Sequence, residues 1–129
     1  MHLVISNSSS VPLYEQIKGQ IIEQIMNNEL EEDEMLPSIR SLSKDIKISL
    51  MTVKKAYDQL ESEGYIVSIA GKGTFVAPKN GNLVKEHAHR EIEVNIQKAI
   101  DLAVRYNISK DEILELVNML YEGDNKWIM

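Results

Sequence analysis

Residues 38–76 read SIRSLSKDIKISLMTVKKAYDQLESEGYIVSIAGKGTFV, and this stretch decides the fold. Its first part carries apolar residues at spacings of three and four, which predicts a short helix with one buried face: Ile39, Leu42 and Ile46. Pro37 suits the first turn of such a helix, where its missing N–H costs nothing. Arg40 projects away from the apolar stripe.

A second helix is predicted over about residues 49–63. Ser49 is a suitable N-cap, and Gly64 stands where a left-handed residue ends a helix. One stripe of this helix is apolar: Val53, Ala56, Tyr57 and Leu60. The opposite face carries Met51, Lys55, Asp58 and Ser62, with Thr52 and Lys54 beside it. Because only two residues separate the helices, they must cross sharply, as in a helix-turn-helix.

A tight hairpin is predicted over about residues 65–77. The alternation in Tyr65–Ile69 is typical of a strand, and Ala70–Gly73 is a turn with two glycines free to adopt positive φ. Lys72 at the tip allows close approach to a phosphate backbone. Taken alone, a turn lysine or a charged helix face is more often a solvated surface. Helix, turn, helix and hairpin in this order predict a winged helix-turn-helix, a fold that reads duplex DNA.

Three segments in this order and spacing, LPSIRSL, ISLMTVKKAYDQLESEGY and GKGTFV, resemble the GntR family of bacterial transcription regulators. The upstream PLYEQI at residues 12–17 adds to the resemblance, which covers roughly residues 11–78. It implies DNA contacts from the start of both helices and from the wing. The candidates are Ser38, Arg40, Ser49, Met51, Thr52, Lys54, Lys55, Gly71, Lys72, Gly73 and Thr74.

The chain departs from the family pattern in two places. Leu50 follows the capping serine, where family members often have Arg or Pro. Leu50 and Met51 cannot donate hydrogen bonds, so they predict apolar contacts, for instance to thymine methyl groups. The acidic run 31–34 replaces a glycine-bearing turn, and Asp33 is expected to adopt the left-handed conformation there.

The composition predicts a cytoplasmic protein without a disulfide framework, a thiolate metal site, a signal peptide or a membrane span. The chain has 129 residues, no cysteine and a formal net charge of −6. Residues 38–79 hold seven Lys/Arg and four Asp/Glu, a net charge of +3, and the remainder carries −9. One face is therefore expected to meet phosphates while the rest stays in solvent.

Three regions are predicted: a flexible polar arm at 1–10, the winged domain at 11–78, and a helical dimerisation region at 79–129. The winged domain begins with a helix over about 12–27, whose stripe includes Leu13, Ile17, Ile21 and Ile25. Asn28 is a candidate left-handed cap. A linker is expected around 78–82.

Beyond the linker the pattern predicts two helices, over about 83–106 and 110–122. Asn107 ends the first, Ser109 opens a capping box with Glu112, and Gly123 is expected to end the second. Trp127 is expected to pack back on these helices. A two-helix hairpin is too small to form a core alone, so homodimerisation is expected, with packing on the winged domain as the alternative. The dimerisation candidates are Ile92, Ile96, Ala99, Ile100, Ala103, Ile113, Leu116, Val117 and Leu120.

The short tail resembles the YtrA-type subfamily, which implies a dimeric repressor, often of operons for ABC transporters. The leading hypothesis is thus a repressor that binds a palindromic operator. The alternative is a winged-helix protein-interaction module without DNA binding. No catalytic set, cofactor motif or metal cluster is recognised, so an enzyme is not expected. The sequence leaves open whether a small-molecule effector binds between two copies.

Overall fold

The computed structural model describes residues 1–79 and 81–128, with side chains for 1–79 and 83–123. It is mostly helical with one small sheet, which confirms the predicted fold class. The chain divides into two compact units, Met1–Val84 and Lys85–Met129. The elements are α1 (Leu13–Met26), β1 (Met35–Leu36), α2 (Ile39–Ile46), α3 (Leu50–Ser62), β2 (Ile66–Ile69), β3 (Gly73–Val76), α4 (Gly81–Arg105) and α5 (Lys110–Ile128).

The core of the first unit lies where α3 packs between α1 and α2. Each helix contributes the apolar stripe expected from its sequence, and the most deeply buried side chains include Ile17, Ile21, Ile25, Val53, Leu60, Tyr65 and Val76. At the edge of the α1–α3 contact, Lys18 Nζ forms an ion pair with Glu63 and donates to Gln59 Oε1 at 3.2 Å. The first turn of α4 belongs to this unit, because Leu83 is buried in the same core.

The sheet has three antiparallel strands in the order β1-β3-β2, where the sequence predicted only the hairpin of β2 and β3. In the added strand, Met35 pairs with Phe75 and Leu36 with Thr74. Two residues are too few to give a visible alternation, so β1 is defined by its partner rather than by its own pattern. The turn before β1 adds to the pairing, since Asp33 N–H donates to Val76 O at 2.9 Å.

Four helices end in a left-handed residue. In each case the next N–H donates to the carbonyl five residues back, which satisfies a terminal carbonyl. The residues and their φ values are Asn28 (61°), Lys47 (54°), Gly64 (89°) and Asn107 (57°), and the bonds run from Glu29, Ile48, Tyr65 and Ile108. The predictions for Asn28, Gly64 and Asn107 are confirmed, as is the positive φ of Asp33. Lys47 was not anticipated, because lysine has no preference for this conformation.

Two predicted boundaries are wrong. Pro37 lies outside α2, because Ser38 is the N-cap and its Oγ accepts from Ser41 N at 3.0 Å. Gly123 does not end α5, which continues to Ile128. A glycine inside a helix costs only about 1 kcal/mol relative to alanine and stops it only where the chain turns away. The packing expected of Trp127 lies outside the described side chains.

The amino-terminal segment, expected to be a flexible arm, lies extended along α1. Its backbone is hydrogen-bonded by three glutamine side chains of that helix, Gln16, Gln20 and Gln24. Leu3 and Ile5 pack against the core. Because glutamine amides both donate and accept, polar residues on α1 satisfy this backbone, a role that composition does not reveal.

In the second unit, α4 and α5 leave most of their apolar side chains in solvent. Ile92, Ile96, Leu116 and Leu120 are each about half exposed, at 57, 53, 48 and 59%. Ala103 differs from the other dimerisation candidates, because it is only 5% exposed within the chain. No described helix is long and apolar enough to cross a membrane.

Tyr57 connects α3 to the loop that precedes α2. Its side chain is buried, and its hydroxyl donates to Pro37 O at 2.7 Å. Burial raises the pKa of Tyr57 well above its ordinary value of 10.0, because the phenolate would lose its hydration. The phenol therefore remains a donor, and it holds the segment between β1 and α2 against α3.

Replacing Tyr57 by Phe is expected to lower the free energy of unfolding by about 1–2 kcal/mol, since the Pro37 carbonyl loses its donor. A raised folded-state pKa contributes stability that is complete below pH 10 and declines above it, because only the unfolded phenol then ionises. The wild-type protein should lose about 1.4 kcal/mol per pH unit above pH 10 from this group. Urea titrations of both proteins at pH 8, 10 and 11 would measure both effects. An equal loss of stability above pH 10 in the Phe variant would contradict the assigned pH dependence.

Candidate nucleic-acid interface

The start of α3 is fixed by a side-chain cap. Ser49 Oγ accepts from Thr52 N at 3.2 Å and shares a hydrogen bond with Thr52 Oγ1 at 2.7 Å. This confirms the predicted N-cap. Thr52 is half-buried and its hydroxyl is engaged with the cap, whereas Val53 faces the core. The cap therefore holds the first turn of α3 in one conformation while the adjacent residues remain exposed.

Beyond the cap, α3 presents an apolar patch and then two lysines. Leu50 is 44% exposed and Met51 is 73% exposed, so both are free to make contacts outside the chain. Lys54 Nζ pairs with Asp58 at 2.6 Å, and both side chains are more than half exposed. Such a surface pair is worth about 0–1 kcal/mol, so a phosphate can compete for the lysine.

Lys55 is held by a different partner. Its Nζ lies 3.9 Å from the centroid of the Tyr14 ring on α1, a cation–π contact. Tyr14 in turn donates its hydroxyl to Glu15 Oε1 at 3.2 Å. That hydrogen bond and the charge of Glu15 raise the pKa of Tyr14, so the phenol stays protonated.

These side chains line an open groove of about 790 Å³ along the exposed face of α3. The groove combines lysine ammonium groups, a carboxylate, an aromatic ring and a thioether: its walls are Tyr14, Met51, Thr52, Lys54, Lys55, Asp58, Gln59 and Ser62. Four of them, Met51, Thr52, Lys54 and Lys55, were predicted from the sequence to contact DNA. The role of Tyr14 was not predicted, because it lies 41 residues before Lys55 in the chain. An aromatic residue in the first turn of α1 was the available signal.

The remaining candidates lie on α2 and the wing. Ser38 is the cap of α2, and Arg40 is exposed one residue into that helix. At the tip of the wing, Gly71 and Gly73 have φ values of 76° and 126°, which confirms the predicted glycine turn. Lys72 is exposed between them, and its N–H donates to Ile69 O at 3.0 Å.

Thr74 lies on the wing strand rather than at its tip. Its Oγ1 is 3.5 Å from Ser68 Oγ on the neighbouring strand, and Ser68 N–H also donates to Glu61 Oε1 at 3.2 Å. Thr74 is half-buried, so it is less available for contacts outside the chain than the exposed Lys72.

Residues 13–76 match the family described as bacterial regulatory proteins, gntR family. The chain belongs to the GntR family. It is 42% identical over 73 residues to the HTH-type transcriptional repressor NagR and 40% identical over 73 residues to the HTH-type transcriptional repressor YtrA, both from Bacillus subtilis (strain 168). Each match covers 57% of this chain, but only 30% of NagR and 56% of YtrA.

Solved structures extend the likeness beyond the winged domain. YtrA from Sulfolobus acidocaldarius, a GntR-family transcription factor, matches over 95% of this chain and 99% of its own, with 34% identity and a TM-score of 0.57. The DNA-binding domain of AraR in complex with operator ORX1 matches over 60% of this chain and 99% of its own, with 30% identity and a TM-score of 0.53. This GntR protein thus carries the winged helix-turn-helix domain of the family, and its likeness to the Sulfolobus YtrA extends over nearly its whole length.

Replacing Asp58 by Asn is expected to raise DNA affinity about two- to fivefold at low salt. The change frees Lys54 and removes a negative charge from the groove, and both effects favour phosphate binding. The gain should appear on random as well as specific duplexes, because phosphate attraction carries no sequence information. Fluorescence anisotropy with two labelled duplexes would measure it, and weaker binding by the variant would contradict this role for Asp58.

Proposed function

We propose that this GntR protein is a homodimeric repressor in which each copy inserts α3 into a major groove and lays its wing along the neighbouring backbone. The observation that carries the proposal is the division of α3 into two faces. One face is buried against α1 and α2, and the other exposes Met51, Lys54 and Lys55 beside a rigid cap. In a helix built this way, packing on the buried side sets which face points outward.

The roles follow the chemistry of each candidate. Lys54, Lys55, Arg40 and Lys72 supply attraction to phosphates, with guanine edges as further targets. Leu50 and Met51 supply apolar contact to thymine methyl groups, and Leu50 stands at a position where the family resemblance implies Arg or Pro. The AraR complex supports the mode, since a related domain is bound to an operator in that structure.

A two-fold dimer matches a palindromic operator. Helix-turn-helix proteins read two half-sites about one helical turn apart, which requires two α3 helices related by symmetry. The exposed isoleucines and leucines of α4 and α5 support a dimer interface there, because so much apolar surface is unfavourable in water. Ala103 is buried within its own chain, so it would pack behind the interface residues and would not contact the partner.

Repression is proposed because NagR and YtrA are both named as transcriptional repressors. The tail resembles the YtrA type, so an operon for an ABC transporter is the proposed target, and the cytoplasm is the compartment where its DNA lies. The exposed Leu50 and Met51 favour one second candidate, a winged-helix module that binds a protein through this apolar patch. Steep salt dependence of DNA binding would decide against that module.

The central prediction concerns the two lysines of α3. Lys54→Ala and Lys55→Ala should each weaken operator binding and reduce the salt dependence by about one counterion. The measurement is a titration of the DNA upstream of the protein's own gene at two salt concentrations, with a random duplex beside it. Lys98→Ala is the matched control, because Lys98 is an exposed lysine on α4.

Unchanged affinity in both α3 variants would exclude α3 as the DNA-reading helix. An equal loss in the Lys98 variant would mean that net charge alone explains the effect. If the wild-type protein binds neither duplex at low salt, the protein-interaction module becomes the preferred function.

The dimer makes a separate prediction. Ile96→Glu is expected to convert the dimer to a monomer, since a carboxylate would enter an apolar interface without a partner. The neighbouring Gln97→Glu introduces the same charge at an exposed polar position and should leave the dimer intact. Light scattering after size-exclusion chromatography would give the masses. A dimeric Ile96 variant would show that the interface lies elsewhere.

A further inference from the structure

Residues 2–6 run extended beside α1 as an amino-terminal strand that is not part of the three-stranded sheet, and a regular ladder of glutamines on α1 holds them. Gln20 donates from Nε2 to Val4 O at 2.6 Å and accepts from Val4 N at 2.8 Å. Gln24 makes the same two bonds with His2, at 2.6 and 3.4 Å, and Gln16 makes them with Ser6, both at 2.9 Å. Each glutamine amide therefore binds both backbone groups of one residue.

The spacing explains why the ladder fits. Glutamines four residues apart on a helix are separated by about 6 Å along its axis. Alternate residues of an extended strand are separated by about 6.6 Å, so residues 2, 4 and 6 meet successive glutamines. The intervening Leu3 and Ile5 face the core. The glutamines of α1 thus bind the backbone of the strand, and the side chains of Leu3 and Ile5 anchor it to the core.

The last rung of the ladder also fixes the start of α1. Gln16 Nε2 donates to Val11 O at 2.9 Å in addition to Ser6 O, so one amide closes the loop that leads into the helix. Within that loop Val11 N–H donates to Ser9 Oγ at 3.1 Å. The N-cap of α1 is Pro12, which makes no side-chain capping hydrogen bond. Gln16 instead holds the loop before α1 through its bonds to Val11 O and Ser6 O.

Three residues after Val11, Tyr14 lies under the ammonium group of Lys55. The strand, the Gln16 bridge, the first turn of α1 and the Tyr14 ring therefore form a continuous series of contacts that ends at a lysine of α3. A lysine side chain has four rotatable bonds, and an aromatic ring beside it restricts where the ammonium group lies.

We propose that the amino-terminal strand is a positioning element of the DNA-binding site, which acts by holding Tyr14 beneath Lys55. Tyr14 is the positioning residue that touches Lys55, and the glutamine ladder keeps Tyr14 in place. The proposal rests on the proposed function, because it assigns Lys55 to a phosphate. It adds residues 2–6, Gln16, Gln20 and Gln24 to the determinants of DNA affinity, although they belong to a different part of the domain.

The experiment uses the full chain and breaks the middle rung. Gln20→Met keeps the length of the side chain and its lack of charge but removes both hydrogen bonds. Gln97→Met is the matched control on α4. Amide hydrogen exchange at Val4 and Ser6 reports whether the strand is released. The ring-current shift of the Lys55 ε-methylene protons reports the contact with Tyr14 without any DNA present.

The expected results are faster exchange at Val4, a reduced ring-current shift at Lys55, and DNA affinity lowered about two- to fivefold. In a Lys55→Ala background, Gln20→Met should have no further effect on DNA affinity, because Gln20 acts on DNA binding through Lys55. Tyr14→Phe should retain affinity, because the ring remains, whereas Tyr14→Ala should lose about as much as Gln20→Met.

Three results would overturn the proposal: slow exchange at Val4 in the Gln20 variant, an unchanged ring-current shift after release, or the same loss of affinity with and without Lys55. If the proposed function is wrong, the wild-type protein binds no DNA. The hydrogen-exchange and ring-current measurements then still decide whether the strand positions Lys55.

Discussion

The structure depends on the burial of one face of α3 between α1 and α2. Val53, Ala56 and Leu60 are fully buried on this face, and Tyr57 beside them donates to the carbonyl of Pro37. This burial selects which residues of α3 point outward, because a helix that buries one stripe must expose the opposite one. The orientation of Met51, Lys54 and Lys55 is therefore a consequence of hydrophobic packing on the other side of the same helix.

Capping supports the same geometry at low cost. Ser38 and Ser49 begin α2 and α3, and left-handed residues end α1, α2, α3 and α4 with the same hydrogen-bond pattern. Three of these four residues carry a side chain, where glycine is the usual choice. Lys47 adopts the conformation in the turn between α2 and α3, where a residue with a Cβ atom costs more than glycine.

The charges around the groove are balanced rather than uniformly basic. Lys54 pairs with Asp58, and Lys55 lies over Tyr14 beside Glu15. Glu61 accepts a hydrogen bond from Ser68 of the wing. A surface of this kind attracts phosphates only modestly, and each contact is screened by salt. If two copies of the chain bound one DNA duplex together, their weak phosphate contacts would combine into a higher overall affinity. A dimer, proposed above, would both pair two modestly charged grooves and cover the exposed apolar side chains of α4 and α5.

The positions of the helices, the caps at Asn28, Ser49, Gly64 and Asn107 and the hairpin turn follow from the sequence, because each depends on residues close together in the chain. The period of Ile17, Ile21 and Ile25 marks a helix, and the glycines around Lys72 mark a turn. Only the tertiary structure decided β1, the docking of the amino-terminal strand and the Tyr14–Lys55 contact. Each joins residues distant in sequence, and the four-residue spacing of the glutamines does not show which segment of the chain they bind. Their partners exist only once α1 and α3 are packed together.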